Sequence, residues 1–192
     1  MVVWHDAAVP THVALLRGIN LGPHKRVAMP ALRALAESLG HTDVATYIAS
    51  GNLVFTAGGT PDPGPGLEKA IAAELGVECR VVVRTCAELT RTVADNPYPD
   101  EPDPKRVHAF FLVDEPDAAA REHVAQAQER AAAKGSRDEA AIVGRVLYLH
   151  TPDGFGRSEL AAELSKGGRR NPAEGTARNW ATVTTLLAMC DG

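Results

Sequence analysis

Four polar stretches carry side chains able to grip an anion. They are Arg17-Gly18-Ile19-Asn20 running on to Gly22-Pro23-His24-Lys25-Arg26, Ser50-Gly51-Asn52, Gly156-Arg157-Ser158, and Thr176-Ala177-Arg178-Asn179-Trp180. A guanidinium presents a planar fork of N–H donors that matches a carboxylate or phosphate through paired bonds. The neighbouring amides and hydroxyls, on Asn20, Ser50, Asn52, Ser158 and Asn179, can orient what the charge holds. Each stretch lies where an apolar segment stops or starts, the usual address of a binding site on a rigid scaffold. Together they describe a polar, arginine-bearing pocket without spelling out a reaction.

Every one of these residues also has a structural reading. Arg17 could form an ion pair, Gly22 to Arg26 a solvated basic turn, and Ser50-Gly51-Asn52 a plain hairpin turn. Ser158 and Asn179 suit the N-cap position of a helix. Arg157 and Arg178 then stand at helix starts, where positive charge is unfavourable unless something negative sits nearby. That something is an anion, or an acid such as Glu159 or Asp153. The Gly22–Arg26 loop lacks the GxxxxGK[ST] spacing of a Walker phosphate cradle. The seven histidines show no HxxxH or HExxH spacing, so no metal is expected. No GxSxG nucleophile elbow is present, and no base is visible beside Cys86. No cofactor is expected.

The elements that position these stretches read β-α-β-β-α-β in the first half. Val13 to Leu16 is a doubly apolar strand, and Pro30 opens a helix whose inner face is Leu32, Leu35 and Leu39, ended by Gly40. Asp43 to Ile48 and Leu53 to Thr56 form two strands around Ala49-Ser50-Gly51-Asn52. Gly58 to Gly66 is a loop, followed by a helix through Leu67, Ile71 and Leu75 and a strand from Arg80 to Arg84. Thr85-Cys86-Ala87-Glu88 has capping-box spacing and starts a short helix. Asn96 to Pro104 holds four prolines in nine residues and serves as a connector. Beyond it come a strand (Val107 to Val113), a helix capped by Asp117, a hairpin around Gly144, and helices over Glu159–Leu164 and Trp180–Cys190. Lys166 to Pro172 is an exposed basic loop. The second half thus reads β-α-β-β-α-α, close to a repeat of the first. The expected fold is α+β: two ferredoxin-like halves with mainly antiparallel sheets, residues 11–95 and 105–192, joined by 96–104 and packed as one compact unit.

Composition narrows the function classes. A chain of 192 residues with 45% hydrophobic content can bury a core, although aromatics make up only 5%. A net charge of −4 argues against broad nucleic-acid binding. No apolar run approaches the ~18 residues of a membrane span, and the first residues lack the pattern of a signal peptide. The three cysteines form no CxxC pair and read as reduced thiols, which places the protein in the cytoplasm. A monomer is expected.

The chain resembles the bacterial domain-of-unknown-function family numbered 1697. The resemblance rests on His12-Val-Ala-Leu-Leu-Arg-Gly-Ile-Asn20, Met29, Tyr47-Ile-Ala-Ser-Gly-Asn-Leu-Val-Phe55, Phe155-Gly-Arg-Ser158, and Arg178-Asn-Trp180 with Thr182-Val183. These islands span nearly the whole chain in the right order. The resemblance implies the α+β, two-part fold and no established activity. Pro23 replaces a frequent glycine, Ala49 a polar amide, Glu159 a basic residue and Ala181 an asparagine, while the arginines remain.

The leading functional reading is a small anionic, phosphate-bearing ligand held in a cleft between the halves. Arg17, Asn20, Ser50, Asn52, Arg157 and Arg178 would line it, with Lys25 or Arg26 at the rim. A second reading is an enzyme of phosphoryl or nucleotidyl transfer or phosphoester cleavage, with Asp43, Asp95 or Asp153 as its acids. A third is an RNA-binding sheet using Tyr47, Phe55, Phe110 or Phe111. A fourth has all the motifs locking the halves together.

Overall fold

The computed structural model describes residues 10–22, 25–59, 62–166 and 174–191. It is an α+β protein with two four-stranded antiparallel sheets and six α-helices among these residues. The chain divides into two compact units, one running to Arg91 and taking in Thr185 onward, the other spanning Thr92–Thr184. Both boundaries fall within a helix, α3 (Cys86–Ala94) and α6 (Trp180–Cys190).

In the first unit β1 (His12–Leu16), β2 (Thr42–Tyr47), β3 (Asn52–Thr56) and β4 (Val81–Thr85) lie in the order β2-β3-β1-β4. The apolar run of β1 is buried throughout from Val13 to Leu16, as befits a central strand. Helices α1 (Met29–Ser38) and α2 (Gly64–Leu75) bury Leu32, Leu35, Leu67 and Ile71 against Ala14, Leu16, Leu53 and Phe55. Burying each such leucine or isoleucine side chain contributes about 1.5–3 kcal/mol. Leu39 instead lies past the helix end and is 38% exposed, because the chain turns at Gly40 (φ +85°) before that side chain can reach the core. Gly64 and Gly66, expected in a loop, form the first turn of α2, where Pro65 needs no N–H partner.

The second unit uses the same order, β6-β7-β5-β8, with β5 (Val107–Leu112), β6 (Glu139–Val143), β7 (Val146–His150) and β8 (Gly175–Asn179). Helices α4 (Ala118–Ala133) and α5 (Glu159–Ser165) pack Val124, Ala127, Leu160 and Leu164 on Leu147 and Leu149. Asp117 caps α4 by accepting from the Ala120 N–H at 2.7 Å. Strand β8 corrects the expected β-α-β-β-α-α order. It alternates buried Thr176 and Arg178 with half-buried Ala177, a polar pattern that conceals a strand. With β8 in place, both halves read β-α-β-β-α-β-α. The registers correspond too. His12 faces Thr85 and Val13 faces Arg84 across β1–β4, as His108 faces Asn179 and Ala109 faces Arg178 across β5–β8.

The cysteines depart from expectation. Cys86 and Cys190 are joined in a disulfide with Cα atoms 5.8 Å apart, leaving Cys79 as the free thiol. The inference from three reduced thiols to a cytoplasmic location therefore loses its premise. No helix among the described residues is long and apolar enough to cross a membrane. Most of the expected basic loop, Gly167 to Pro172, and the first nine residues lie outside the described residues.

Candidate functional site

The loop between β1 and α1 and the turn between β2 and β3 are joined through one side chain. Asn20 donates from Nδ2 to the Ala49 carbonyl at 2.7 Å and to the Val27 carbonyl at 3.0 Å, and its Oδ1 accepts from the Val27 N–H at 2.9 Å. Its own N–H donates to the Lys25 carbonyl at 3.0 Å. Asn20 thus holds both ends of its loop and fastens the loop to the hairpin turn. Asparagine suits the place, since its φ is +55°, in the left-handed region that short polar side chains tolerate.

The turn is shaped to receive that loop. Gly51 has φ +79°, and a Cβ there would meet Ile19 Cδ1 at 2.7 Å and Leu16 Cβ at 2.8 Å. The Leu16 N–H donates to the Gly51 carbonyl. Asn52 is fully buried and donates to the Tyr47 carbonyl and to Ser50 Oγ, both at 3.0 Å. Ser50 and Asn52 therefore build the turn itself.

Between loop and turn lies an open groove of about 700 Å³, lined by Asn20, Leu21, Gly22, Arg26, Val27, Ala28, Met29 and Ala49. Its size falls in the range of small-molecule sites. The Arg26 guanidinium is the one full charge among these lining residues, and the residue is exposed. Ala28 and Met29 contribute the start of α1, whose N-cap residue, Ala28, places no side-chain acceptor on the first N–H groups. Four non-glycine residues among those described have positive φ, and three of them, Asn20, Lys25 and Ile48, are groove-lining or adjoin a lining residue. Positive φ is costliest for a β-branched residue such as Ile48, and strain of this kind clusters at functional sites.

Of the sequence-predicted site residues, the groove brings together Asn20 and Arg26. Lys25 points its Nζ to the Glu78 carbonyl at 3.1 Å. Arg17, exposed just past β1, donates its N–H to the Arg80 carbonyl. Arg157, Ser158, Arg178 and Asn179 belong to the second unit. Ser158 caps α5, accepting from the Ala161 N–H at 2.9 Å while donating to buried Asp138 at 2.8 Å. Asn179 caps α6 through Thr182 N–H at 2.9 Å. Arg178 sits on β8 rather than in a helix turn. It is buried, donates to Thr176 Oγ1 and the Ala177 carbonyl, and its pKa is pushed down to about 10 by that burial. Arg157 lies in a 3₁₀ turn, Phe155–Arg157.

The acids named for catalysis are placed as follows. Asp153 pairs with Arg137, which lowers its pKa by a direct hydrogen bond. Asp43 accepts from the Thr42 hydroxyl at 3.0 Å, and Asp95 is exposed. No group of three or more His, Cys, Asp or Glu suited to a metal occurs among the described residues. Of the aromatics named for RNA stacking, Phe55 and Phe111 are fully buried and present no free face.

Residues that sequence reasoning missed are the apolar ones lining the groove: Leu21, Val27, Ala28, Met29 and Ala49. One signal was available. Leu21 interrupts a polar loop with a side chain that has no helical or strand partner pattern, and it is 86% exposed.

The fold has a solved counterpart. A structure described as that of the conserved bacterial protein SP0830 from Streptococcus pneumoniae is similar, with a TM-score of 0.67, 19% identity, and coverage of 94% of this chain and 98% of that one. At that identity the likeness shows the fold alone. No curated protein matches the sequence. A family model described as "Protein of unknown function (DUF1697)" matches residues 9–148. With nearly three quarters of its length under that match, the chain belongs to the DUF1697 family.

Proposed function

We propose that this protein binds a small phosphate-bearing anion in the groove between the β1–α1 loop and the β2–β3 turn, with Arg26 as the anchoring charge. The observation that carries the reading is the groove itself: about 700 Å³, with a single guanidinium among its described lining residues. Asn20 shapes the groove. The described lining contains no carboxylate, imidazole or thiol. We also propose that each unit is a ferredoxin-like βαββαβ element extended by one helix, the pair being copies of one ancestral unit. The matching strand orders and registers support this.

A charge-assisted hydrogen bond to a phosphate contributes about 1.5–3 kcal/mol, less where the guanidinium is exposed. The test is a thermal-shift screen of phosphate, sugar phosphates and nucleotides on wild type and Arg26→Ala. A ligand-specific rise in Tm that Arg26→Ala abolishes supports the site. A rise that survives Arg26→Ala places the ligand elsewhere and refutes it.

A further inference from the structure

We infer that the ligand of this groove is an amphipathic anion: an apolar body, aliphatic or aromatic, ending in one phosphate or carboxylate. The inference rests on the groove being the binding site and adds the chemistry of the rest of the ligand. Four of the eight described lining residues, Leu21, Ala28, Met29 and Ala49, bring apolar side chains and are not fully buried, whereas Arg26 is the one that carries full charge. Asn20 cannot supply much polar recognition, because both its Nδ2 donors and one lone pair of its Oδ1 are committed to Ala49 and Val27.

The lips of the groove point the same way. Leu21, in the lining, is 86% exposed, and Ile48, which precedes the lining residue Ala49 in the β2–β3 turn, is 51% exposed. A folded chain gains nothing by holding a large apolar side chain such as Leu21 in water. Ile48 is moreover held at φ +46°, a conformation that a β-branched residue resists. A bare inorganic anion would leave this apolar surface wet. A ligand with a hydrocarbon portion would cover it while its charged end meets Arg26. One guanidinium beside apolar side chains, among the described lining residues, fits a ligand with one charged head and one hydrocarbon body.

Isothermal titration calorimetry on the whole protein separates these cases. The probes are inorganic phosphate, butyl phosphate, hexyl phosphate, hexanoate and hexanol. Affinity is expected to rise about fourfold per added methylene from butyl to hexyl phosphate, following the transfer free energy of a CH₂ group. Hexanol, lacking the charge, should bind at least tenfold more weakly than hexyl phosphate, and hexanoate tells whether the head can be a carboxylate. Leu21→Ser should flatten the chain-length dependence, and Arg26→Ala should bring hexyl phosphate down to hexanol. Equal affinities for phosphate and hexyl phosphate overturn the inference yet leave the anion site standing. Failure of every anion to bind overturns both.

Discussion

Asn20 is the joint on which the groove depends, and removing its amide should cost the fold as well as the site. Asn20→Ala deletes three side-chain hydrogen bonds, two donated to the Ala49 and Val27 carbonyls and one accepted from the Val27 N–H. At a net value of roughly 1 kcal/mol each, halved because the residue is only half-buried and water can replace part of what is lost, they amount to about 1.5 kcal/mol. Alanine at φ +55° adds about 1 kcal/mol, since its Cβ gains no local hydrogen bond in the left-handed region. The expected loss is therefore about 2.5 kcal/mol. Asn20→Gly removes the same hydrogen bonds but no strain arises, so it should retain about 1 kcal/mol of the difference. Urea denaturation of the three proteins, followed by circular dichroism, reads both numbers from the midpoints at constant m. A loss under about 0.5 kcal/mol for Asn20→Ala, or a glycine variant no more stable than the alanine one, would refute the reasoning.

Three further outcomes follow from the geometry. Gly51→Ala places a methyl within 2.8 Å of Ile19 and Leu16 at a left-handed φ, and should destabilise the protein by more than about 2 kcal/mol in the same assay. Thiol titration of the oxidised protein should find one free group, the Cys79 thiol, and three after reduction; the reduced form should lose up to ~4.7 kcal/mol, the chain-entropy limit for a loop of about one hundred residues. Three titratable thiols without reductant would contradict the pairing. His108 has its pKa pushed down to about 4 by burial, so the folded state resists the proton that the unfolded chain takes up near pH 6.5. Its contribution to stability is complete above pH 6.5 and is lost as pH falls toward 4. His108→Phe should flatten that part of the stability profile, and an NMR titration placing the His108 midpoint above 6 would sink the argument.

Much of the fold could be read from periodicity and caps, because those signals are local. Thr85 and Glu88 exchange the reciprocal bonds expected of a capping box, at 2.8 and 3.1 Å, and Asp117 begins α4. Strand β8 could not be read so, since Thr176 and Arg178 are buried polar residues and alternation of hydrophobicity is the signal a strand reader uses. The Cys86–Cys190 pairing spans 104 residues and leaves no local trace. The proposed groove is legible in part. Polar residues at strand ends drew attention to Asn20 and Arg26. The same reasoning offers Ser158 and Asn179 as N-caps, and their side chains do cap α5 and α6. It missed Leu21 and Met29, because apolar residues announce a core before they announce a groove.

The central claim is that Arg26 holds an anion in the groove beside Asn20. The most direct measurement is a titration of ¹⁵N-labelled protein with phenyl phosphate, following the backbone amides of residues 20–22, 26–29 and 49 alongside those of the second unit. The account predicts saturable shifts confined to the groove and a dissociation constant about tenfold weaker in Arg26→Ala, in keeping with the loss of one charge-assisted hydrogen bond. Shifts centred on Arg157 or Arg178, or an affinity unchanged by Arg26→Ala, would contradict it.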